Sequence, residues 1–414
     1  MELAHGVGRV YELPVPLYLY LFGAAATVAA SFAIAIGAST LRPIADREIG
    51  GPGAAVTLGS ILKVVGLVAL VLTVATGITD PDRGLTPATL MFWVVLIVLM
   101  VVLNAIVNGA WAATDPWSTL ESLWSSDDKP EREPPWFLAP LVIYALFWFE
   151  LVSGSGFEGR GVVLAVAVYT AYTLTIRSAY PGRWQSADPL WILFGFAGRC
   201  APLTLTDERV IAHSPVKGLD EQRPMPLGHF VALFALLGST TLDNVRETEG
   251  WVSAMETIGL DALPVKLLDS IWLALFGLGF LLPFLATVWI ARRWLGPDRN
   301  LWELARLFGW SLIPIGIAYV LSHNVSLLVI GLPELISQLG GFLEGYVPSP
   351  RVVWFAEIGL IVGGHILGVW SAHRAALRLG DKRSAAASQI ALTALMSLFT
   401  ITTLWLLAQP LVVD

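Results

Sequence analysis

Cysteine occurs once in the 414 residues, as Cys200. That excludes an internal disulfide framework and any zinc or iron–sulfur site built from several thiolates of this chain. Charge is scarce too: Asp, Glu, Lys and Arg make up 14% of the residues, with 32 acidic against 25 basic and a net charge of -7. Such a balance argues against a nucleic-acid partner. Met1 to Val15 lack the basic start of a signal peptide, so the apolar run that follows is expected to stay in place as a span.

What the chain has in excess is apolar surface. Hydrophobic residues make up 56% of it and the mean hydropathy is +0.69. Runs of about 20 apolar residues, the length with which an α-helix covers the hydrocarbon of a bilayer, recur throughout. The expected fold is all-α, a polytopic transmembrane bundle filling residues 1–414 as one integral membrane domain, with no separate soluble domain. Ten spans are expected, at 15–38, 56–78, 88–111, 136–153, 161–180, 228–246, 267–292, 305–330, 351–376 and 387–408. Lysine and arginine near span ends are retained on the cytoplasmic side. Arg42, Arg177, Arg199, Arg292, Arg293, Arg374 and Arg378 fall together on one side when both termini lie outside, which implies a multi-pass protein of the cell membrane in that orientation.

The two longest inner segments, 112–135 and 188–227, each carry an Asp-Pro pair, Asp115-Pro116 and Asp188-Pro189. Aspartate as N-cap with proline at the first helical position is a helix-start signal. Short interfacial helices are expected there, with the two aspartates as caps. Trp191 to Leu205, interrupted by Arg199 and Pro202, is not counted as a crossing.

Ionisable groups inside spans are costly and usually face protein or water. His365 stands at the middle of the ninth span among Gly359, Gly363, Gly364 and Gly368, spacings that let another helix approach. Asp243 follows Ser239, Thr240 and Thr241 in the sixth span, and the eighth carries Tyr319, His323 and Asn324. Tyr319 and His323 are four apart and share a helix face. Two combinations follow. If the eighth helix kinks at Pro314, Asp243, His323 and His365 can share one metal ion, zinc or copper, with Tyr319 and Asn324 in support. Alternatively, Asp243, His323, His365 and His373 form a ladder of titratable groups across the bilayer, as in proton or ion translocation.

Several stretches resemble a family of multispan prokaryotic membrane proteins labelled fenitrothion hydrolases. They are Ala4-His5-Gly6 with Leu13-Pro14-Val15-Pro16-Leu17, Asp115-Pro116-Trp117-Ser118-Thr119-Leu120, Asp188-Pro189-Leu190, Thr241-Leu242-Asp243, Ala318-Tyr319 with His323, and Gly364-His365 with Ala372-His373-Arg374. The resemblance implies membrane location and hydrolysis of an organophosphate ester by a metal-activated water at Asp243, His323 and His365, with His5 completing the ligands from the outer surface. The functional expectation is therefore an outward-facing metal-binding membrane enzyme of hydrolase type. The alternatives are a proton-coupled or ion transporter of a small substrate and a structural subunit of a membrane complex or homo-oligomer.

Overall fold

A computed structural model of the chain describes residues 11–13, 15–37, 46–50, 52–121, 130–206, 209–246, 248–260, 263–341, 349–409 and 412–413. Its main helices are α1 (Leu17–Gly37), α2 (Pro52–Thr79), α3 (Pro87–Ile106), α4 (Leu138–Leu151), α5 (Gly159–Ala179), α6 (Pro189–Gly198), α7 (Leu227–Val245), α8 (Glu249–Thr257), α9 (Val265–Leu295), α10 (Leu301–His323), α11 (Val325–Gln338), α12 (Pro350–Leu379) and α13 (Lys382–Ala408). The fold is an all-α polytopic bundle. Among the described residues, eight helices are long and apolar enough to cross a membrane: α1, α2, α3, α5, α9, α10, α12 and α13.

Two of the ten expected spans differ from this. The fourth forms a helix of only 14 residues, α4, which at 1.5 Å per residue covers about 21 Å. The sixth forms α7, 19 residues long, whose last two turns carry Ser239, Thr240, Thr241, Asp243 and Asn244 and lower its hydropathy. The eighth is interrupted. A 3-10 turn at Trp310–Leu312 precedes Pro314, where the missing amide and the ring disfavour a continuous α ladder. The helix then ends at His323, and α11 begins at Val325.

Local chemistry explains the starts. Asn300 accepts from the amides of Trp302 and Glu303 to open α10, and Asp381 accepts from Ser384 to open α13. Thr86 and Thr89 form a reciprocal capping box ahead of α3. Within α3, Met91–Leu99 is π-helical, a wider winding that is rare and is frequently found at functional sites.

The chain gathers into two compact units. The first comprises Met1–Pro43, Val216–Ser326 and Val347–Asp414. In it α7 packs on α9, α9 on α13, α13 on α12, α12 on α10 and α10 back on α7, a closed ring against which α1 lies along α12 and α13. Gly364 and Gly368 of α12 permit the close approach of α10. A Cβ on Gly364 would collide with the Ala318 methyl and lie 2.6 Å from the Pro314 carbonyl oxygen, and one on Gly368 would lie 2.7 Å from that of Ser311. Gly359 and Gly363, expected to serve the same purpose, meet no heavy atom within 4 Å among the described residues.

The second unit comprises Ile44–Pro215 and Leu327–Tyr346. Here α2 packs on α5 and α3, and α6 packs on α3 and α4. A four-stranded sheet joins Arg47–Gly50 (β1), Val107–Asn108 (β2), Leu203–Leu205 (β3) and Val210–Ala212 (β4) in the order β1-β4-β3-β2. It tidies loops that the sequence left as irregular. Both Asp-Pro pairs act as caps. Asp115 accepts from the amides of Trp117 and Ser118, and Asp188 from those of Leu190 and Trp191. The helix that Asp188 opens, expected at the interface, has eight of its ten residues buried within the unit.

Arg177, at the last turn of α5, joins the two caps. It donates to Asp115 Oδ2 at 2.6 Å, to Glu121 Oε2 at 2.7 Å and to Ser118 Oγ at 2.8 Å, while its guanidinium lies 3.7 Å from the Trp184 ring centroid. Its Nε reaches Thr173 Oγ1, which itself donates to Asp188 Oδ2 at 3.0 Å. Tyr169 donates to the same carboxylate. Burial nevertheless outweighs these donors and pushes the Asp188 carboxyl up to about 6. Burial likewise pushes the Cys200 thiol up to about 12, which leaves it a poor nucleophile.

Candidate functional site

The polar last turns of α7 meet the end of α10 inside the first unit. His323 Nε2 lies 2.7 Å from Asp243 Oδ2, and Arg246 donates to Asp243 Oδ1 at 3.0 Å. His323 Nδ1 lies 3.2 Å from Asn244 Oδ1. The Asn244 amide nitrogen donates to the Thr240 carbonyl at 2.8 Å and to the Tyr319 hydroxyl at 3.2 Å. Asp243, Asn244 and Tyr319 are buried, and the His323 side chain is 8% exposed.

Protonation follows from this geometry. The Asn244 nitrogen faces a backbone carbonyl, which only accepts, so its oxygen is the atom turned toward His323. Both imidazole nitrogens then face acceptors, the Asn244 oxygen and the Asp243 carboxylate. Both contacts are satisfied when the ring carries two hydrogens. The ring thus bridges the end of α10 to the last turns of α7.

A second set of groups runs along α12. Glu357, His365 and His373 recur at intervals of eight residues, about 12 Å and 80° per step on an ideal helix. All three are buried. His365 donates from Nδ1 to the carbonyl of Ile361 on its own helix at 2.8 Å, not to a neighbouring helix as its glycine surroundings imply. Among the described residues its Nε2, Glu357 Oε2 and both ring nitrogens of His373 find no hydrogen-bond partner. The His373 ring packs edge-on against Phe32, centroids 6.1 Å apart. Next to it, Arg374 and Arg378 close on Asp220, with Arg374 donating at 3.1 and 2.6 Å and Arg378 at 2.5 Å. Burial opposes the charge on Asp220, but the hydrogen bonds from Arg374 and Arg378 outweigh it and hold the carboxyl below its usual range. The basic flank that follows His373 therefore pins the Asp220 loop to the end of α12.

Of the residues singled out in the sequence, Asp243, His323 and Tyr319 come together. The Asn324 side chain returns to the Val320 carbonyl of its own helix, and Asn244 takes the supporting place instead. His365 does not join the Asp243–His323 pair: among the described residues no group of three or more His, Cys, Asp and Glu side chains is placed to hold a metal ion. The described residues thus supply two of the ligands expected for zinc or copper and not the third. His5 lies outside the described residues. Sequence reasoning missed Glu357, whose signal is a lone acid two turns into an apolar span.

Fold and site together define a polytopic α-helical membrane protein with a buried His–Asp–Arg cluster inside one helical unit. The chain matches no protein-family model, no curated protein and no solved structure.

Proposed function

We propose that this protein is a proton-coupled membrane transporter in which His323 binds the coupling proton. The observation that supports it is the placement of both imidazole nitrogens against acceptors on α7. When the ring loses a proton, one nitrogen turns a lone pair toward an oxygen lone pair, and the buried contact becomes repulsive. A buried polar group left unsatisfied costs about 1–3 kcal/mol, enough to shift a two-state element by one or two orders of magnitude. Protonation latches α7 to α10, and deprotonation releases them.

The column on α12 supports the same reading. Buried polar atoms without partners are expensive in apolar surroundings, and three titratable side chains carrying such atoms on one candidate span are the pattern of a relay. Extended along ideal helices, the antiparallel register set by Pro314 and Ala318 on Gly364, and by Ser311 on Gly368, brings Glu357 to about the level of His323. A proton leaving the latch has its next titratable group at the same depth. Steps of about 12 Å exceed a hydrogen bond and require intervening water.

The test is proton binding. Potentiometric titration of the purified protein over the range where histidine titrates is expected to show one proton fewer for His323→Gln. In proteoliposomes with an internal pH dye, potential-driven proton uptake is expected to fall at least tenfold in His323→Gln and His365→Ala. Equal proton counts for wild type and His323→Gln would end this reading.

A further inference from the structure

The second unit contains a cavity of about 370 Å³ bounded by α3, α4, α5 and the Asp-Pro segments. Phe92 and Leu96 of the π-helical stretch form one wall, Phe149 of α4 another, and Trp117 and Tyr169 belong to its lining. Only Trp117, Tyr169 and Tyr172 bring polar atoms among the lining side chains. All three are committed elsewhere: the indole nitrogen to Thr170, and the two hydroxyls to Asp188 and the Ala187 carbonyl. Among these lining side chains no polar atom is left over for water or a polar ligand, and apolar cavities stay dry.

Size and surroundings select the occupant. An apolar cavity of about 150 Å³ takes up a benzene, so 370 Å³ scales to roughly fifteen carbons. On α5, Leu164 and Val168 line the cavity and are 65% and 61% exposed. They sit four residues apart on one face of a helix long and apolar enough to span a membrane, where the surrounding solvent is hydrocarbon. The π winding adds a second, independent mark. It carries Phe92 and Leu96, one wide turn apart, into the cavity wall.

We infer that this cavity holds a single alkyl chain of a membrane lipid, inserted from the bilayer past Leu164 and Val168. The inference does not depend on the role proposed for His323. The chain lies against the Tyr169 and Trp117 rings, whose polar ends hold Asp188 and Thr170, so occupancy supports the paired caps from their apolar side.

The experiment uses the full chain in vesicles containing a phospholipid with a diazirine halfway along one acyl chain. After illumination, peptide mapping is expected to find label at Phe92–Leu96 and Phe149, at a density several-fold above that on Ile390 and Leu398, exposed apolar residues of α13. Ala165→Phe and Ala145→Phe narrow the cavity from two different helices. Each is expected to cut labelling of Phe92–Leu96 at least fivefold while leaving Ile390 and Leu398 unchanged. Labelling of Phe92–Leu96 no greater than that of Ile390 in the wild type, a comparison that needs no variant to fold, would overturn the inference. Labelling that persists undiminished in either folded variant would overturn it as well.

Discussion

Replacing Arg177 by methionine tests whether the two Asp-Pro caps are held by charge. Methionine fills similar volume and keeps the apolar contact with Trp184 while deleting the guanidinium. The Arg177 side chain is 2% exposed and that of Asp115 fully buried, so the substitution leaves Asp115 without its cation and Glu121 without the guanidinium donor. Breaking a buried pair from one side costs about 3–5 kcal/mol. Asp115 keeps the amides of Trp117 and Ser118, the Ser118 hydroxyl and the Trp191 indole at 3.1 Å, which places the loss at the lower end, about 3 kcal/mol or roughly two orders of magnitude in the folding equilibrium. The double variant Arg177→Met/Asp115→Asn removes the stranded charge and is expected to recover more than half of that loss. The assay is unfolding in mixed micelles of rising SDS fraction, followed by tryptophan fluorescence. A loss below about 1 kcal/mol for Arg177→Met, or a double variant no better than the sum of the singles, would refute a charge-held cap.

Asp188 carries an opposite pH signature to Asp220. Its folded carboxyl titrates near 6 against 3.8 when unfolded, so the folded state binds more protons between these values and stability falls as pH rises through that window, by about 3 kcal/mol. Asp188→Asn is expected to flatten this dependence in the same unfolding assay. Asp220, held below its usual value, stabilises above its unfolded pKa and loses that contribution as pH falls toward the folded one. Asp220→Asn is therefore expected to remove an acid-side loss of stability. Gly364→Val inserts side-chain atoms where even a Cβ collides with Ala318, and a destabilisation of at least about 2 kcal/mol is expected. Gly359→Val, where no atom of the described residues lies within 4 Å, is the matched control expected to change unfolding little.

The helices were legible because span-length apolar runs and Asp-Pro starts are local signals, and both aspartates cap where the sequence put them. The interruption of α10 was half legible: Pro314 marked the place, but the end at His323 depends on tertiary packing. The π-helix was not legible. Met91–Leu99 is uniformly apolar, so no periodicity distinguishes 4.4 residues per turn from 3.6. The small sheet joins strands of two to four residues from distant parts of the chain, too short to register as alternation. At the site, Tyr319 and His323 were found through their shared face. Asn244 and Asn324 look alike in sequence, and only the direction of each side chain separates a ligand of His323 from a bond back to its own helix. Glu357, close after Arg351 at the start of a span, reads like any headgroup-facing charge until its burial is known.

The ion pair between Arg177 and Asp115 also has a temporal side. The partners are 62 residues apart, and at synthesis rates of about 5–20 residues per second the arginine follows the aspartate by roughly 3–12 s. For that interval α3 has been made, but the carboxylate beyond it has no cation and cannot be taken out of water without a large desolvation cost. The segment after α3 must therefore stay hydrated until α5 arrives, and the second unit closes only when the last turn of α5 is in place. A ribosome-arrested chain that ends before Arg177 should expose Trp117 to aqueous quenchers, and one that extends past α6 should shield it.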